Sequence, residues 1–449
     1  MISVVSLFSG CGGLDLGFHE KPFELKMAYD NDPAAIKCLK YNLKAPANVI
    51  DVTSDKFNDE LEKLRSADVV LGGFPCQGFS KAGPKNNNDP RNQLYLSMLK
   101  AVSKLKPRLF IGENVDGIAQ NFNGEFVKKI VADFQAIGYK VEYRILNAIN
   151  YGVAQYRRRA IFVGTSQDSN STFNWPEPTH GGTTRNGEFK TQWDVKLIPD
   201  LFKSATLLPA ATIKDALLEL LDCDESYPDH KTVSNLRKND LEIIKAIKEG
   251  QKLCNVRFSN TSVYTWNIPK VFGETSDKER FILETIGKNR RKKIYGNIPN
   301  GNPLSHDVIT KLTSLEIDKG ELDSLVLRKF LRTWDNKYDL TGAMFCSGLY
   351  KRPVWREPSP TVLTVFHSPR YLAHPIKNRP FTIRECARLQ SFPDTFKFLE
   401  SGIEINDAYR LIGNAVPPLL AINLANSVKK YFSTYIFHNE INYSRAVYQ

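Results

Sequence analysis

The residue whose type and setting are best suited to chemistry is Cys76, in the segment Gly-Phe-Pro-Cys-Gln-Gly-Phe-Ser at residues 73–80. This segment directly follows a short apolar run at residues 69–71. Pro75 fixes its own φ and favours extended geometry before it, and the flanking glycines let the chain bend around the sulfur. Most single cysteines are small buried apolar residues, so the neighbouring sequence has to decide. Cys76 is the candidate nucleophile.

Two further motifs carry polar side chains next to apolar runs. Glu113 follows the run at residues 109–111, although an acid at such a place is more often solvated or a helix cap. The segment Gln-Tyr-Arg-Arg-Arg at residues 155–159 precedes another run, and a basic surface turn is its simplest interpretation. In extended backbone, Arg157 and Arg159 share one face.

A glycine-rich loop, Phe-Ser-Gly-Cys-Gly-Gly-Leu-Asp at residues 8–15, lies between the first apolar run and a helical segment. Such a loop lets a ligand lie against the backbone, but Asp15 occupies the third glycine position of GxGxxG, which argues against a dinucleotide. Asp30 lies about twenty residues further on, where a carboxylate can accept hydrogen bonds from ribose hydroxyls. For Asp32 a helix cap is the better interpretation. Asp51 follows another short apolar run and is placed to accept from an adenine amino group.

The elements that must position these residues are short apolar runs alternating with amphipathic helical stretches over residues 1 to about 165. The predicted strands are 4–8, 25–29, 69–71, 109–111 and 161–163. This alternation predicts an α/β fold with a mostly parallel, doubly wound sheet. Ligands bind beyond the carboxyl ends of such strands, and the candidate residues directly follow them.

Composition narrows the class of partner. The chain has 449 residues and a formal net charge of +12, which favours an anionic partner such as nucleic acid. Seven cysteines without a CxxC pair fit a reducing cytoplasm and predict no metal site. We find no signal peptide and no apolar run of the length that a membrane span needs, so a cytoplasmic protein without membrane contact is expected.

Taken in order, the glycine loop, the Pro-Cys segment, the Glu-Asn-Val at residues 113–115 and the Gln-x-Arg-x-Arg segment resemble the DNA (cytosine-5) methyltransferase family. The resemblance resumes at Arg-Glu-Cys-Ala-Arg-Leu-Gln-Ser-Phe-Pro-Asp, residues 384–394, and at Gly-Asn-Ala-Val-Pro-Pro, residues 413–418. It implies a Rossmann-like S-adenosylmethionine-dependent methyltransferase fold. The expected domains are a catalytic and cofactor-binding part at 1–170, a variable target-recognition domain at 171–365, and a return to the catalytic domain at 366–449.

The resemblance also implies roles for individual residues. Cys76 would attack C6 of a cytosine, Glu113 would assist at N3 with a pKa raised by burial, and Arg157 and Arg159 would hold the base and the phosphate backbone. The cofactor would be S-adenosylmethionine. The residues expected to hold it are Phe8, Gly10, Gly12, Gly13, Asp30, Asp51 and Asn414. Relatives often carry glutamate where this chain has Asp30.

The implied substrate is double-stranded DNA with the target cytosine flipped out of the helix. The densest basic run of the expected target-recognition domain, residues 288–293, is either a phosphate contact or a solvated helix end. We expect a monomer that acts as the modification enzyme of a restriction-modification system, paired with a cognate restriction endonuclease. The alternatives are a tRNA cytosine-5 methyltransferase and a DNA-binding relative that has lost catalysis.

Overall fold

The computed structural model describes residues 1–75, 94–120, 124–169, 171–181, 207–222, 227–231, 236–342 and 348–447. Cys76, the candidate nucleophile, lies outside the described residues. The chain divides into two compact units, each formed by more than one segment. The first unit comprises Met1–His230, Pro358–Thr364 and Ile383–Gln449, and the second comprises Lys231–Glu357 and Val365–Thr382.

This division differs from the predicted boundaries after residues 170 and 365. The described part of the segment 171–230 belongs with the first unit, and a buried ion pair explains this. Asp229 and Arg384 are both inaccessible to solvent, and Arg384 Nη2 lies 2.7 Å from Asp229 Oδ2. A buried charge pair of this kind cannot be separated cheaply, so it ties the end of the segment to the C-terminal return of the chain.

A seven-stranded sheet in the order β3-β2-β1-β4-β5-β7-β6 forms the centre of the first unit. The strands are β1 (Ile2–Leu7), β2 (Phe23–Asp30), β3 (Ala47–Val49), β4 (Val69–Gly72), β5 (Leu109–Val115), β6 (Tyr139–Asn147) and β7 (Arg158–Ser166). In this order, each pair of neighbours among β3, β2, β1, β4 and β5 is parallel. Strand β7 is antiparallel to its two neighbours, β5 and β6. The predicted mostly parallel α/β fold is confirmed.

Helices connect these strands and cover the sheet. They are α1 (Pro33–Leu43), α2 (Asp55–Leu64), α3 (Tyr95–Leu105), α4 (Gly117–Gln120) and α5 (Glu125–Ala136). After the sheet, the chain forms two-residue strands, β8 (His180–Gly181) and β9 (Leu208–Pro209), and helix α6 (Ile213–Leu217). Helix α2 shows the pattern well, because Phe57 and Leu61 are buried one turn apart while its other face is charged. The apolar faces of α2, α3 and α5 form one core with the sheet.

The second unit is mainly helical. It contains α7 (Lys238–Ala246), β10 (Lys252–Leu253), β11 (Ser262–Val263), α8 (Pro269–Phe272), α9 (Asp277–Asn289), α10 (His306–Thr313), α11 (Lys319–Leu327), β12 (Leu331–Trp334) and β13 (Lys337–Leu340). Ser276 and Glu279 form a capping box that starts α9. Leu283 and Ile286 of α9 pack into a core that also contains Trp266 and Leu322.

The chain then returns to the first unit through α12 (Ile383–Leu389), α13 (Ile405–Asn414) and α14 (Pro418–Val447). A side chain at Gly17 would place its Cβ 2.4 Å from the Ala421 carbonyl carbon, so α14 lies directly on the turn after the glycine loop. Within the described residues no single helix is long and apolar enough to cross a membrane. Taken together, α13 and the part of α14 up to Thr434 do have the length and apolar composition of a membrane-spanning segment, but the two helices are bent by 43° relative to each other.

Candidate active site

The parallel register brings four of the candidate segments to one edge of the sheet. Leu7 at the end of β1 pairs with Tyr29 of β2 on one side and with Gly72 of β4 on the other. Gly72 in turn pairs with Gly112 of β5. The glycine loop, the segment at Asp30, the start of the Pro-Cys segment and Glu113 therefore lie side by side at the carboxyl ends of the strands, where ligands bind in this class of fold.

Glu113 forms an ion pair with Arg159 at this edge. Arg159 Nε lies 2.7 Å from Glu113 Oε1, and each side chain is 11% exposed. The two residues come from neighbouring antiparallel strands, since Arg159 on β7 is opposite Val115 on β5. Glu113 is therefore a fixed, nearly buried carboxyl group rather than a solvated strand end or a helix cap.

Burial raises the pKa of Glu113 above its ordinary value, and the charges of Arg159 and Arg157 oppose this shift. The direction predicted from the sequence is confirmed. A carboxyl group with a raised pKa holds its proton at higher pH, so it can donate a hydrogen bond or a proton to a ring nitrogen. The arrangement suits a general acid that faces a heteroaromatic base.

The residues that precede Cys76 in the chain, Gly73 and Phe74, are held beside Glu113. Asn114 Nδ2 donates a hydrogen bond to the Phe74 carbonyl oxygen at 2.9 Å, and Asn114 is almost fully buried. A Cβ at Gly73 would lie 3.4 Å from Glu113 Oε2, so the carboxyl group and the Gly73 backbone are neighbours. The chain thus enters the segment of the candidate nucleophile directly beside the candidate acid.

Arg157 has a different position from the one expected. Its side chain is 1% exposed, and its terminal nitrogens donate to three backbone carbonyls: Nη1 to Val362 at 3.0 Å, and Nη2 to Gly413 at 2.8 Å and Ala415 at 2.9 Å. The expected role in holding the base and the phosphate backbone does not fit this position, because the guanidinium is buried and both of its terminal nitrogens bind backbone carbonyls. Arg157 instead joins the start of β7 to the Gly-Asn-Ala-Val segment.

The glycine loop leaves β1 with Phe8 in the left-handed region, at φ 54°. Its three glycines are required by positive φ, by close packing, or by both. Gly10 has φ +55° and open space where a Cβ would point, whereas a Cβ at Gly12 would touch Leu43 at 3.0 Å and one at Gly13 would lie 2.5 Å from the Val416 carbonyl oxygen. Gly12, with φ +94°, is therefore required by both its backbone conformation and its packing, Gly13 is required by packing, and Gly10 is the position that leaves room for a ligand.

Asp30 at the end of β2 is held by two backbone donors. The Gly10 N–H donates to Asp30 Oδ2 at 2.8 Å, and the Asp32 N–H donates to Asp30 Oδ1 at 2.9 Å. Burial raises the pKa of Asp30, while these hydrogen bonds oppose the shift. Asp32 caps α1 through the Ala34 N–H at 3.0 Å, so its predicted capping role is confirmed.

Asp51 and Asn414 complete the group of candidate cofactor residues. Asp51 follows β3, whose last residue Val49 pairs with Asp30, and its exposed carboxylate accepts from the Thr53 N–H at 2.9 Å. Asn414 is the exposed last residue of α13, two positions before the Val416 carbonyl that faces Gly13. Of the three polar side chains, Asp30 lies directly beside Gly10, and a carboxylate at this strand end fits a ligand that carries ribose hydroxyls.

Two positioning residues were not identified from the sequence. Asn114 follows Glu113 directly, and only its contact with the Phe74 carbonyl reveals its role. Arg410 forms an ion pair with Asp32 and donates to Asp407 Oδ1 at 2.6 Å. Arg410 and Asp32 are 378 residues apart, so no local signal could have connected them.

Comparison with known proteins identifies the same family over almost the whole chain. The family model for C-5 cytosine-specific DNA methylase matches residues 2–430. The chain is 30% identical over 431 residues to the Type II methyltransferase M.NgoFVII of Neisseria gonorrhoeae. The matched residues make up 96% of this chain and 87% of the relative. It is also 31% identical over 434 residues to the Type II methyltransferase M.XorII of Xanthomonas oryzae pv. oryzae, and this match makes up 95% of this chain and 84% of the relative.

A solved structure has the same fold. It is described as that of a DNA modification methyltransferase encoded within an E. coli prophage. It covers 96% of this chain at a TM-score of 0.53, with 22% sequence identity. The fold of the chain is thus shared with a known protein.

Proposed function

Because the chain belongs to the C-5 cytosine-specific DNA methylase family, we propose that it methylates a flipped-out cytosine through a covalent bond between Cys76 and C6. The protein is a DNA cytosine-5-methyltransferase, and S-adenosylmethionine is its methyl donor. The observation that carries the covalent mechanism is the Glu113–Arg159 pair beside the chain segment that leads to Cys76.

The proposed chemistry begins at C6, because C5 of cytosine is too weak a nucleophile to take a methyl group unaided. The Cys76 thiolate forms a bond to C6 while N3 gains a proton from Glu113, and the electron pair moves to C5. C5 then forms a bond to the methyl group as the bond from that methyl group to the sulfonium sulfur breaks, and the electron pair of the broken bond stays on S-adenosylhomocysteine. Loss of the C5 proton to a base restores the double bond between C5 and C6 as the bond from C6 to the Cys76 sulfur breaks, and N3 returns its proton to Glu113. The buried, raised-pKa carboxyl group of Glu113 is suited to the N3 step.

When bound, S-adenosylmethionine supplies an electrophilic methyl group on a sulfonium. Phe8 and Gly10 border the space that its adenosine and methionine parts would occupy, and Asp30 would accept from the ribose hydroxyls. Asp51 would accept from the adenine amino group, and Asn414 would close the pocket. Gly12 and Gly13 support this loop by letting it pack against α1 and the Val416 carbonyl.

The proposed substrate is duplex DNA, from which the target cytosine must leave the stack at a cost of a few kcal/mol. We assign target recognition to the second unit, residues 231–357 and 365–382. The relatives named above are Type II methyltransferases, which supports a role as the modification enzyme of a restriction-modification system with a cognate endonuclease. We also propose that the enzyme acts as a monomer in the cytoplasm.

The test of the covalent mechanism is adduct formation. Wild-type protein should form a denaturation-resistant complex with a duplex that carries 5-fluorocytosine at its target, because the fluorine cannot leave as the C5 proton does. Cys76→Ala should form no adduct and transfer no methyl group, yet still bind cofactor. An adduct formed by Cys76→Ala would show that another residue is the nucleophile.

The target itself can be found by bisulfite sequencing of DNA from cells that express the chain. A defined sequence around the protected cytosines would give both the activity and the specificity. Methyl transfer to tRNA alone, with matched duplex DNA left unmodified, would contradict the DNA assignment. DNA binding without any methyl transfer would indicate a relative that has lost catalysis.

A further inference from the structure

The basic run at residues 288–293, which the sequence left undecided, divides into two parts in the structure. Lys288 lies near the C-terminus of α9, 3.4 Å from Glu284 Oε2, with its ammonium 4.7 Å from the centre of the Phe258 ring. Arg290 is buried. Arg291, Lys292 and Lys293 are exposed and begin a segment with no acidic residue that continues to Asn300. We call residues 291–300 the basic loop.

The base of the basic loop is fixed by the buried guanidinium of Arg290. Its Nε and Nη2 donate to the two carboxylate oxygens of Asp339 on β13, at 2.6 and 2.9 Å. Its Nη1 donates to the Val256 and Asn300 carbonyls at 3.0 and 2.6 Å. This fork geometry leaves Arg290 no freedom, so the two ends of the loop are held together.

Although its base is rigid, the basic loop exposes apolar side chains. Ile294 is 78% exposed and Ile298 is 46% exposed, while Tyr295 between them packs against the core of the second unit. Exposed branched aliphatic residues beside basic residues on a rigid segment are typical of an interaction site, since solvent contact gives them no stabilisation.

The neighbouring hairpin of β12 and β13 adds to the same surface. Trp334 is opposite Lys337, and Arg332 is opposite Asp339, so these four side chains share one face of the hairpin. Trp334 is 63% exposed, and Arg332 donates to Asp339 Oδ2 at 2.8 Å. Because Asp339 also holds Arg290, the base of the basic loop lies against the face that carries Trp334.

We infer that the basic loop and this hairpin face together form the surface that contacts the target duplex; this assignment rests on the proposed function. Charge supports DNA over other partners. Five basic side chains are exposed on the two segments, namely Arg291, Lys292, Lys293, Arg332 and Lys337, against one exposed carboxylate, Asp335 in the hairpin turn. The basic side chains contact phosphates and set the position of the protein on the duplex.

Discrimination between sequences comes from the side chains between those charges. Ile294 contacts a thymine methyl group or enters a base step, and Trp334 covers an exposed base or sugar face. Asn297 and Asn300 lie in the same loop, and an asparagine side chain can form two hydrogen bonds with adenine in the major groove.

The experiment compares two charge-matched triple variants of the full-length protein. Arg291→Ala/Lys292→Ala/Lys293→Ala removes the charges of the basic loop, and Lys248→Ala/Lys311→Ala/Lys319→Ala removes three exposed charges elsewhere in the second unit. Affinity is measured across a salt series with a duplex that contains the sequence found by bisulfite sequencing and with a scrambled duplex. Each phosphate contact contributes about 0.9 to the slope of log K against log salt, so the first variant should lose about 2–3 in slope and about 10- to 100-fold in affinity.

Two single substitutions test discrimination. Ile294→Ala and Trp334→Ala should each lower the preference for the target over the scrambled duplex by about tenfold, with little change in scrambled-duplex affinity. Unchanged binding of S-adenosylhomocysteine would show that the first unit is intact.

Equal affinities and salt slopes for the two triple variants would overturn the inference, as would full discrimination by both single variants. A basic-loop variant that changes self-association but not DNA binding would make the surface a protein interface and overturn it as well. Failure of the proposed function is a separate result, because wild-type protein would then methylate no cytosine in DNA.

Discussion

The glycine loop of the first unit and the basic loop of the second unit are both held at their ends, but they present different parts of the chain. In the glycine loop, residue 9 and residues 11–15 are buried, and the open space lies over the backbone at Gly10. In the basic loop the buried groups are at the base, and long side chains such as Lys292 and Ile294 extend into solvent.

This difference matches the two proposed ligands. A cofactor is the same for every member of a family, so a loop that binds it can use backbone groups and the absence of side chains. A DNA sequence differs from one enzyme to the next, and it is distinguished by side chains at the base edges. Substitutions in the glycine loop should therefore mainly lower the stability of the protein, whereas substitutions in the basic loop should mainly weaken DNA binding. The residues that anchor the ends of each loop are the exceptions.

The largest expected effect is at the base of the basic loop. Arg290→Met removes the buried charged partner of Asp339, which leaves that carboxylate with the exposed Arg332 and the Leu340 N–H, and it should lower the free energy of unfolding by about 3–5 kcal/mol. Denaturant titration of the full chain measures this change. The adjacent Arg291→Met is the matched control and should change stability by less than about 0.5 kcal/mol. Equal losses in the two variants would mean that the loop base is not held by Arg290.

The second prediction concerns a buried charge in the glycine loop. Asp15 is fully buried, has no ion pair within the described residues, and burial raises its pKa from 3.8 to about 6. The folded state therefore binds this proton more tightly than the unfolded state, so the contribution of Asp15 to stability is complete below about pH 4 and falls as pH rises to about 6. The total loss should be about 3 kcal/mol.

Asp15→Asn should remove this dependence. The stability of the variant relative to wild type should increase by up to about 3 kcal/mol between pH 4 and pH 7, as measured by denaturant titration at each pH. Using the difference between the two pH values cancels any fixed cost of the amide. A relative stability that does not change with pH would show that Asp15 titrates normally in the folded protein.

The third prediction separates two glycines of the same loop. Gly13→Ala should destabilise the protein by about 2 kcal/mol, because the new methyl group would lie 2.5 Å from the Val416 carbonyl oxygen and backbone must move. Gly10→Ala meets no atom within 4 Å and should cost about 1 kcal/mol for its φ of +55°. Its larger effect should be on S-adenosylhomocysteine binding, measured by calorimetry. The reverse order of stabilities would contradict the packing role of Gly13.

The sequence predicts the glycine loop better than the basic loop, for a physical reason. Glycines at fixed spacing after a strand are a local signal. They indicate the end of β1, the position of Asp30 and the edge of the sheet where the cofactor is proposed to bind. Strand β6 was missed, since four of its nine residues are exposed polar or aromatic residues and it lies at the sheet edge. The inward position of Arg157 could not be predicted either, because its carbonyl partners lie more than 200 residues away.

The same limit applies to the basic run at residues 288–293. Its composition does not show that Arg290 is buried while its neighbours are exposed. That difference depends on Asp339, 49 residues later, and on a hairpin whose turn residues Asp335 and Asn336 both have positive φ. Local patterns thus identify positions where the backbone itself is constrained. Long-range ion pairs determine which of several similar side chains are free to bind a ligand.

The smallest expected effect tests such a long-range pair at the glycine loop. Arg410 forms an ion pair with Asp32, whose N–H in turn donates to Asp30 Oδ1. Without Arg410, the uncompensated charge of Asp32 would disfavour the ionised form of Asp30, the proposed ribose acceptor. Arg410→Gln should therefore weaken S-adenosylhomocysteine binding by about tenfold, or about 1.4 kcal/mol, and Arg410→Lys should restore most of it.

A double-mutant cycle decides whether Arg410 acts through Asp32. In an Asp32→Asn background the charge to be compensated is gone, so Arg410→Gln should add almost nothing to the loss of affinity. A tenfold loss that persists in this background would mean that Arg410 reaches the ligand itself. The cofactor would then be bound partly by an exposed side chain, as DNA is proposed to be bound by the basic loop. Recognition through the backbone would in that case be limited to residues 8–15.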